Sequence, residues 1–161
     1  MEDAQLAVDA DPSSTDDALS IRDFAFCGIL GEGEFGRVMM GRRHATGEIC
    51  AIKVLRKAFL LQRGGNSVKH AISEKQVLQE LAIAPHPYIV NLLHSFQDDA
   101  HLYLVMDFVG GGDLFTLIEQ SGCFSEEWTR IYSAEILLAL EHVHAQHIIY
   151  RDLKPENVMV G

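Results

Sequence analysis

Three side chains near the C-terminus, Asp152, Lys154 and Asn157, fall within one six-residue stretch, Asp152-Leu153-Lys154-Pro155-Glu156-Asn157. Their types make a working set. A carboxylate can accept the proton of a hydroxyl and orient its oxygen, and an ammonium can neutralise charge on a moving anionic group. An amide oxygen is a hard donor suited to magnesium. Phosphoryl transfer to a hydroxyl asks for these parts, because it needs positioning and charge neutralisation more than covalent help from the protein. Each residue alone is ordinary, and the chemistry lies in their combination.

Two further groups upstream bear on the same chemistry. Gly31-Glu32-Gly33-Glu34-Phe35-Gly36-Arg37-Val38 has glycines at a spacing that lets backbone N–H groups approach phosphates closely. Taken alone this pattern also fits a dinucleotide-binding turn, which requires a helix immediately after it. Here Val38-Met39-Met40 continues as strand, His44-Ala45-Thr46-Gly47 turns, and Ile49 to Leu55 is strand again. An antiparallel meander follows, and the dinucleotide reading fails. Lys53 sits inside that apolar strand, where a charge is costly unless paired or led out to water along an edge. Glu74 is available as a partner in a helix expected from about Ser67 to Ala82, although a helix carboxylate in that place can equally face solvent.

The elements that must hold these groups are legible in outline. A β-rich segment runs from Ile21 to Leu30, and after Pro85-His86-Pro87 two more strands are expected, Ile89 to Phe96 and Leu102 to Phe108. Val109-Gly110-Gly111-Gly112-Asp113 then separates strands from helices and reads as a hinge. A short helix from Asp113 to Gln120 is broken at Ser121-Gly122-Cys123. Ser125 can cap the next helix, with Glu126 and Glu127 complementing its dipole. That helix, to about Ala145, is apolar over so much of its circumference that it expects burial from several sides. His147 to Tyr150 is then extended and enters the catalytic stretch.

Composition narrows the classes. The chain has 161 residues, 48% hydrophobic content and a formal net charge of −10. Residues 1–20 hold six acids and no Lys or Arg, so the excess is mostly an acidic tail, expected to be disordered and solvated. Without a basic stripe the chain is not a candidate for nucleic acid or an anionic membrane surface. No run approaches a membrane span and no signal peptide is recognisable, so a cytoplasmic or nuclear location is expected. Cys27, Cys50 and Cys123 suggest neither a disulfide framework nor a metal knuckle, and His142, His144 and His147 lack the i, i+4 spacing of a metal site.

GEGEFGRV, AIKVL, Glu74 in the following helix, LVMDFVGGGDLF and YRDLKPEN together resemble the eukaryotic protein kinases, over about residues 24–161. Tyr150 in place of histidine, the GGDLF hinge and the stretch from Phe124 to Tyr150 look like the AGC group of serine/threonine kinases. The resemblance implies an α+β bilobal fold. Residues 21–108 would form an N-lobe with a five-stranded antiparallel sheet and helix C, 109–113 the hinge, and 114–161 part of a mainly helical C-lobe.

It also implies ATP and Mg2+ as cofactors, with Ser/Thr protein substrates carrying nearby basic residues. Gly31, Glu32, Gly33, Glu34, Phe35 and Gly36 would cover the ATP phosphates, with Leu30, Val38 and Ala51 lining the adenine pocket from above. Lys53 would hold the α- and β-phosphates and Glu74 would pair with it. Met106 looks like the gatekeeper, Asp107 and Val109 would offer backbone groups to the adenine edge, and Met159 would close the pocket from below. Asp113 and Glu156 match positions that contact ribose and favour basic substrates. Asp152 would be the base, Lys154 the charge neutraliser and Asn157 a magnesium ligand. His70 and Arg151 match positions that grip an activation-loop phosphate.

Cys50 replaces the valine of VAIK. No DFG follows Asn157 within these residues, so the 161-residue chain alone is expected to have negligible kinase activity, and its long helix to leave an apolar face that favours aggregation or a partner. A non-catalytic nucleotide-binding or kinase-interacting module is the alternative. Retention of Lys53, Glu74, Asp152 and Asn157 favours the kinase.

Overall fold

A computed structural model describes residues 19–33 and 36–161. Residues 1–18 of the acidic tail and Glu34 and Phe35 of the glycine segment lie outside the described residues, whereas Leu19 and Ser20, assigned to the tail by sequence, are described, Leu19 packing against the cluster around Phe24.

A single 3-10 turn, Ile21–Asp23, precedes the sheet, closed by a capping box in which Ser20 and Asp23 satisfy each other's backbone N–H groups. Five strands follow: β1 (Phe24–Gly33), β2 (Gly36–Arg43), β3 (Ile49–Arg56), β4 (Leu92–Gln97) and β5 (His101–Asp107). They form an antiparallel sheet in the order β1-β2-β3-β5-β4. The helices are α1 (Lys57–Gln62), α2 (Gly65–Ile83), α3 (Leu114–Ser121) and α4 (Glu126–Ala145). Helix α1 has no sequence signature because it is one turn and a half long and begins directly from β3 without a capping side chain.

The chain divides into two compact units, one running up to Gln76 together with His94–Val105, the other comprising Val77–Leu93 and Met106–Gly161.

In the first unit the alternation of β3 assigns each residue a face. Cys50 and Ile52 point into a cluster with Phe24, Tyr103 and Val105, and Ile52 is fully excluded from solvent. Phe96 continues the layer, stacking between Phe24 and Tyr103 at centroid separations of 6.0 and 5.1 Å. Leu55, on the opposite face, packs with Leu60 of α1 and Ala71 of α2, supported by Val68 and Leu102. Burying one such leucine contributes about 1.5–3 kcal/mol, so these contacts fix where α2 lies on the sheet.

In the second unit, α3 starts one residue later than the sequence suggests. Asp113 is its N-cap rather than its first residue, and Gly122, at φ 76°, ends it. Ser125 caps α4 as expected, its Oγ accepting from the Trp128 N–H at 3.2 Å. At the other end His147 N–H donates to His144 O, and Ile148 N–H to Val143 O, a Schellman closure whose left-handed position (φ 60°) is filled by His147 where glycine is usual. The burial expected of α4 is not seen among the described residues. Val143 is its one buried residue, while Leu137 and Trp128 are 65% and 53% exposed.

Strand β4 begins at Leu92 instead of Ile89, because Pro87 and the turn in which Ile89 N–H meets His86 O delay it. Among the described residues no helix is long and apolar enough to cross a membrane.

Candidate functional site

The glycine segment is a hairpin rather than a free loop. Gly31 to Gly33 belong to β1 and Gly36 to Val38 to β2, in register through Gly31↔Val38 and Gly33↔Gly36. Glu32 faces Arg37 across the strands, Arg37 Nε to Glu32 Oε1 being 2.9 Å. The three glycines have different reasons to be there. A Cβ at Gly36 would lie 1.9 Å from the carbonyl oxygen of Val54, so packing forbids a side chain. At Gly31 it would meet nothing within 4 Å, and at Gly33 only the Gly36 carbonyl at 4.0 Å. Neither of these two has a positive φ. Among the described residues, no packing or backbone conformation demands glycine at 31 and 33, which leaves room for a ligand's close approach as the physical use of the missing side chain.

Lys53 follows from the face assignment. It shares a face with Ala51 and Leu55, stands opposite Val38 in the β2–β3 register, and therefore looks towards α2. Glu74 is three residues beyond Ala71, on the helix face that packs against Leu55. The two charges meet, Lys53 Nζ to Glu74 Oε1 at 2.5 Å, with both side chains partly exposed. The pairing open in the sequence is thus made, and the edge-strand alternative for Lys53 is excluded. Leu30 falls at the β1 irregularity and is 46% exposed, while Val38 and Ala51 are half-buried.

In the second unit the stretch from Asp152 to Asn157 is organised around Asp152. Asn157 Nδ2 donates to the Asp152 carbonyl at 2.8 Å and to its Oδ2 at 2.9 Å, and Lys154 Nζ lies 3.3 Å from the same oxygen. The Asn157 hydrogen bond first, then Lys154, hold the Asp152 carboxyl below the usual carboxylate range, so it is ionised at neutral pH. With its nitrogen used in this way, the amide oxygen of Asn157 has no hydrogen-bond partner among the described residues, as a magnesium ligand requires.

The backbone beneath is strained. Asp152 N–H reaches Tyr150 O at 3.0 Å across Arg151, whose φ is 67°, a γ-turn of the rare positive kind. The segment from Pro155 to Asn157 is a single 3-10 turn carrying Glu156 exposed at its start. His70 and Arg151 are both exposed.

The segment 109–113, expected to be a hinge, is tied to the end of this stretch by a connection that no sequence signal announced. Gly111 N–H donates to Val160 O, Val160 N–H to Gly112 O, and Leu114 N–H to Val158 O, each at 2.8 Å, placing Met159 opposite Asp113. A Cβ at Gly111 would lie 2.3 Å from the Val160 carbonyl oxygen, and Gly112 has φ 81°, which accounts for two of the three hinge glycines. Asp113 also caps α3. Its Oδ1 accepts from the Thr116 N–H and its Oδ2 from the Thr116 hydroxyl, both at 2.8 Å, and these bonds lower its pKa. The carboxylate assigned to ribose is therefore oriented by the start of α3.

Asp107 closes β5 and is half-buried like Met106 and Val109. The N–H of Val109 donates to nothing among the described residues. Asp107 is paired with Asn91, a residue the sequence did not single out, since Val90-Asn91-Leu92 reads as strand interior.

Residues 24–161 match the protein kinase domain. The RAC family serine/threonine-protein kinase homolog of Dictyostelium discoideum is 43% identical over 142 residues, 88% of this chain and 31% of that protein. Ribosomal protein S6 kinase alpha-4 of Mus musculus is 42% identical over 155 residues, 94% of this chain and 20% of that protein. Serine/threonine-protein kinase Sgk1 of Xenopus tropicalis is 42% identical over 138 residues, 86% of this chain and 32% of that protein. The chain spans about a third or less of the length of these relatives. A match over nearly all the described residues, to kinases of the AGC type, makes this chain a member of the protein kinase family.

Proposed function

We propose that these residues form the nucleotide-binding and catalytic-loop portion of an ATP-dependent serine/threonine kinase. In this reading residues 21–108 act as the N-lobe, 109–113 as the hinge and 114–161 as part of the C-lobe. The observation that carries it is the Asp152 cluster, where an ionised carboxylate, an adjacent ammonium and an amide with its oxygen left open come together on one short turn. Asp152 holds the hydroxyl of the protein substrate and takes its proton. Lys154 offsets negative charge at the same place, and Lys53, kept in position by Glu74, does so at the phosphates. Glu156 and Asp113 favour substrates with basic residues near the target Ser or Thr. Asn157 would hold magnesium through its amide oxygen, and the ion would supply charge neutralisation at the phosphates.

The 161 residues alone are assigned negligible transfer, because the DFG aspartate that would hold the principal magnesium is not among them. Titration of the chain with a fluorescent ATP analogue tests the nucleotide reading. Saturable binding is expected, competed by ATP and weakened about tenfold by Lys53→Met, the loss of one charge-assisted contact. A folded chain that shows no such binding overturns the reading. Strong magnesium-dependent phosphorylation of a basic Ser/Thr peptide by the 161 residues, abolished by Asp152→Asn, overturns the assignment of negligible activity.

A further inference from the structure

Between the last turn before β4 and the end of β5, two half-buried residues hold each other at three points. Asn91 donates twice to one carboxylate oxygen of Asp107, from its backbone N–H at 3.1 Å and from Nδ2 at 2.9 Å. Asp107 returns a bond through its own N–H to the Asn91 carbonyl, also at 3.1 Å. The arrangement is specific to the residue types. Aspartate at 91 would set two carboxylates against each other, and leucine would remove the side-chain donor.

The pairing also has a cost visible in the structure. Asn91 Oδ1 is shut off from solvent and has no hydrogen-bond partner among the described residues. An unsatisfied buried amide oxygen is destabilising, and a side chain chosen for packing alone would avoid it. Its amide is held where the nitrogen serves Asp107, whatever happens to the oxygen.

We propose that Asn91 is a positioning residue for the hinge: by clamping the Asp107 side chain and backbone together, it fixes the main chain from Asp107 to Val109 in the conformation that receives the adenine edge. The inference rests on the nucleotide reading above. It adds a residue outside the glycine segment, the strand lysine and the catalytic stretch, acting through Asp107 without touching ligand. Directionality follows from the geometry. Both donors converge on one oxygen, so the carboxylate cannot rotate without breaking two bonds at once, and the Asp107 N–H to Asn91 carbonyl bond keeps the main chain from following it.

The test uses the full chain with Asn91→Leu, which keeps volume but loses the donor, and the double exchange Asn91→Asp with Asp107→Asn, which swaps donor and acceptor. Affinities for ATP and for inorganic tripolyphosphate are measured by titration, and amide hydrogen exchange is followed at Asp107 and Val109. Asn91→Leu is expected to weaken ATP about tenfold and leave tripolyphosphate within about twofold, the selectivity of a defect confined to the adenine end. Exchange at Asp107 is expected to speed up about tenfold with or without nucleotide, and the double exchange to restore both readouts to within about threefold. Unchanged exchange in Asn91→Leu overturns the proposal, as does equal loss of ATP and tripolyphosphate, or a double exchange no better than the single variant. If the unaltered chain binds no ATP, the nucleotide reading falls, while the exchange measurement still decides whether Asn91 fixes the hinge.

Discussion

The ionisation of Asp152 shows how three side chains become one device. Its pKa is lowered in the fold, so the carboxylate persists below the pH at which an unfolded aspartate would take up a proton. Any stability it contributes is present above the unfolded value and is lost as pH falls through the lower folded one. Carbon-detected NMR titration of the Asp152 carboxyl should therefore show a midpoint under the ordinary aspartate value of 3.8, moving up towards it in Asn157→Leu, which removes the largest cause. An unmoved midpoint would transfer the credit to Lys154. The residue types of this cluster were legible in the sequence because their spacing is local. Asn91 was not, because its meaning depends on Asp107, which reaches it only when β5 is laid beside the segment leading into β4.

At the scale of elements, the glycine hairpin separates two uses of one residue type. Gly36→Ala should cost more than about 2 kcal/mol, since its Cβ would collide with the main chain of β3. Gly31→Ala should leave the melting temperature within about 2 °C, with its effect confined to nucleotide affinity. Thermal melts beside nucleotide titrations of the two variants check this, and equal destabilisation would remove the case for ligand approach at Gly31. Strand patterns located β2, β3 and β5, and helical spacing located α2, to within a few residues. It placed the end of β1 too early, because glycines read as loop when the strand pairing that keeps them extended is long in range. The three bonds between 111–114 and 158–160 left no trace for the same reason.

For the whole molecule, α4 leaves several large apolar side chains in solvent. Trp128, Ile131, Leu137 and Leu138 are all more than 40% exposed. Apolar surface of this kind drives association when nothing covers it. Purified at tens of micromolar, the 161-residue chain should sediment as a concentration-dependent mixture, and Leu137→Lys with Leu138→Glu should shift it towards monomer without lowering its helicity. A monodisperse monomer before substitution would contradict this. The family was readable because five motifs occur in order along the chain. An exposed apolar face on α4 was expected as well, but not which side chains form it, because a helix pattern reports which side chains are apolar but not which of them find partners.

The pairing of Gly111 to Leu114 with Val158 to Val160 carries a consequence for the order of events in folding. Its two halves are separated by the whole of α3 and α4, so the loop it closes is long and its entropic cost falls due before any of its bonds form. Helices made of local contacts come first, and pairings of high contact order come last. Asp113 and Met159 are therefore expected to become neighbours only after both helices exist, which makes the pairing of 111–114 with 158–160 the expected last closure of its unit.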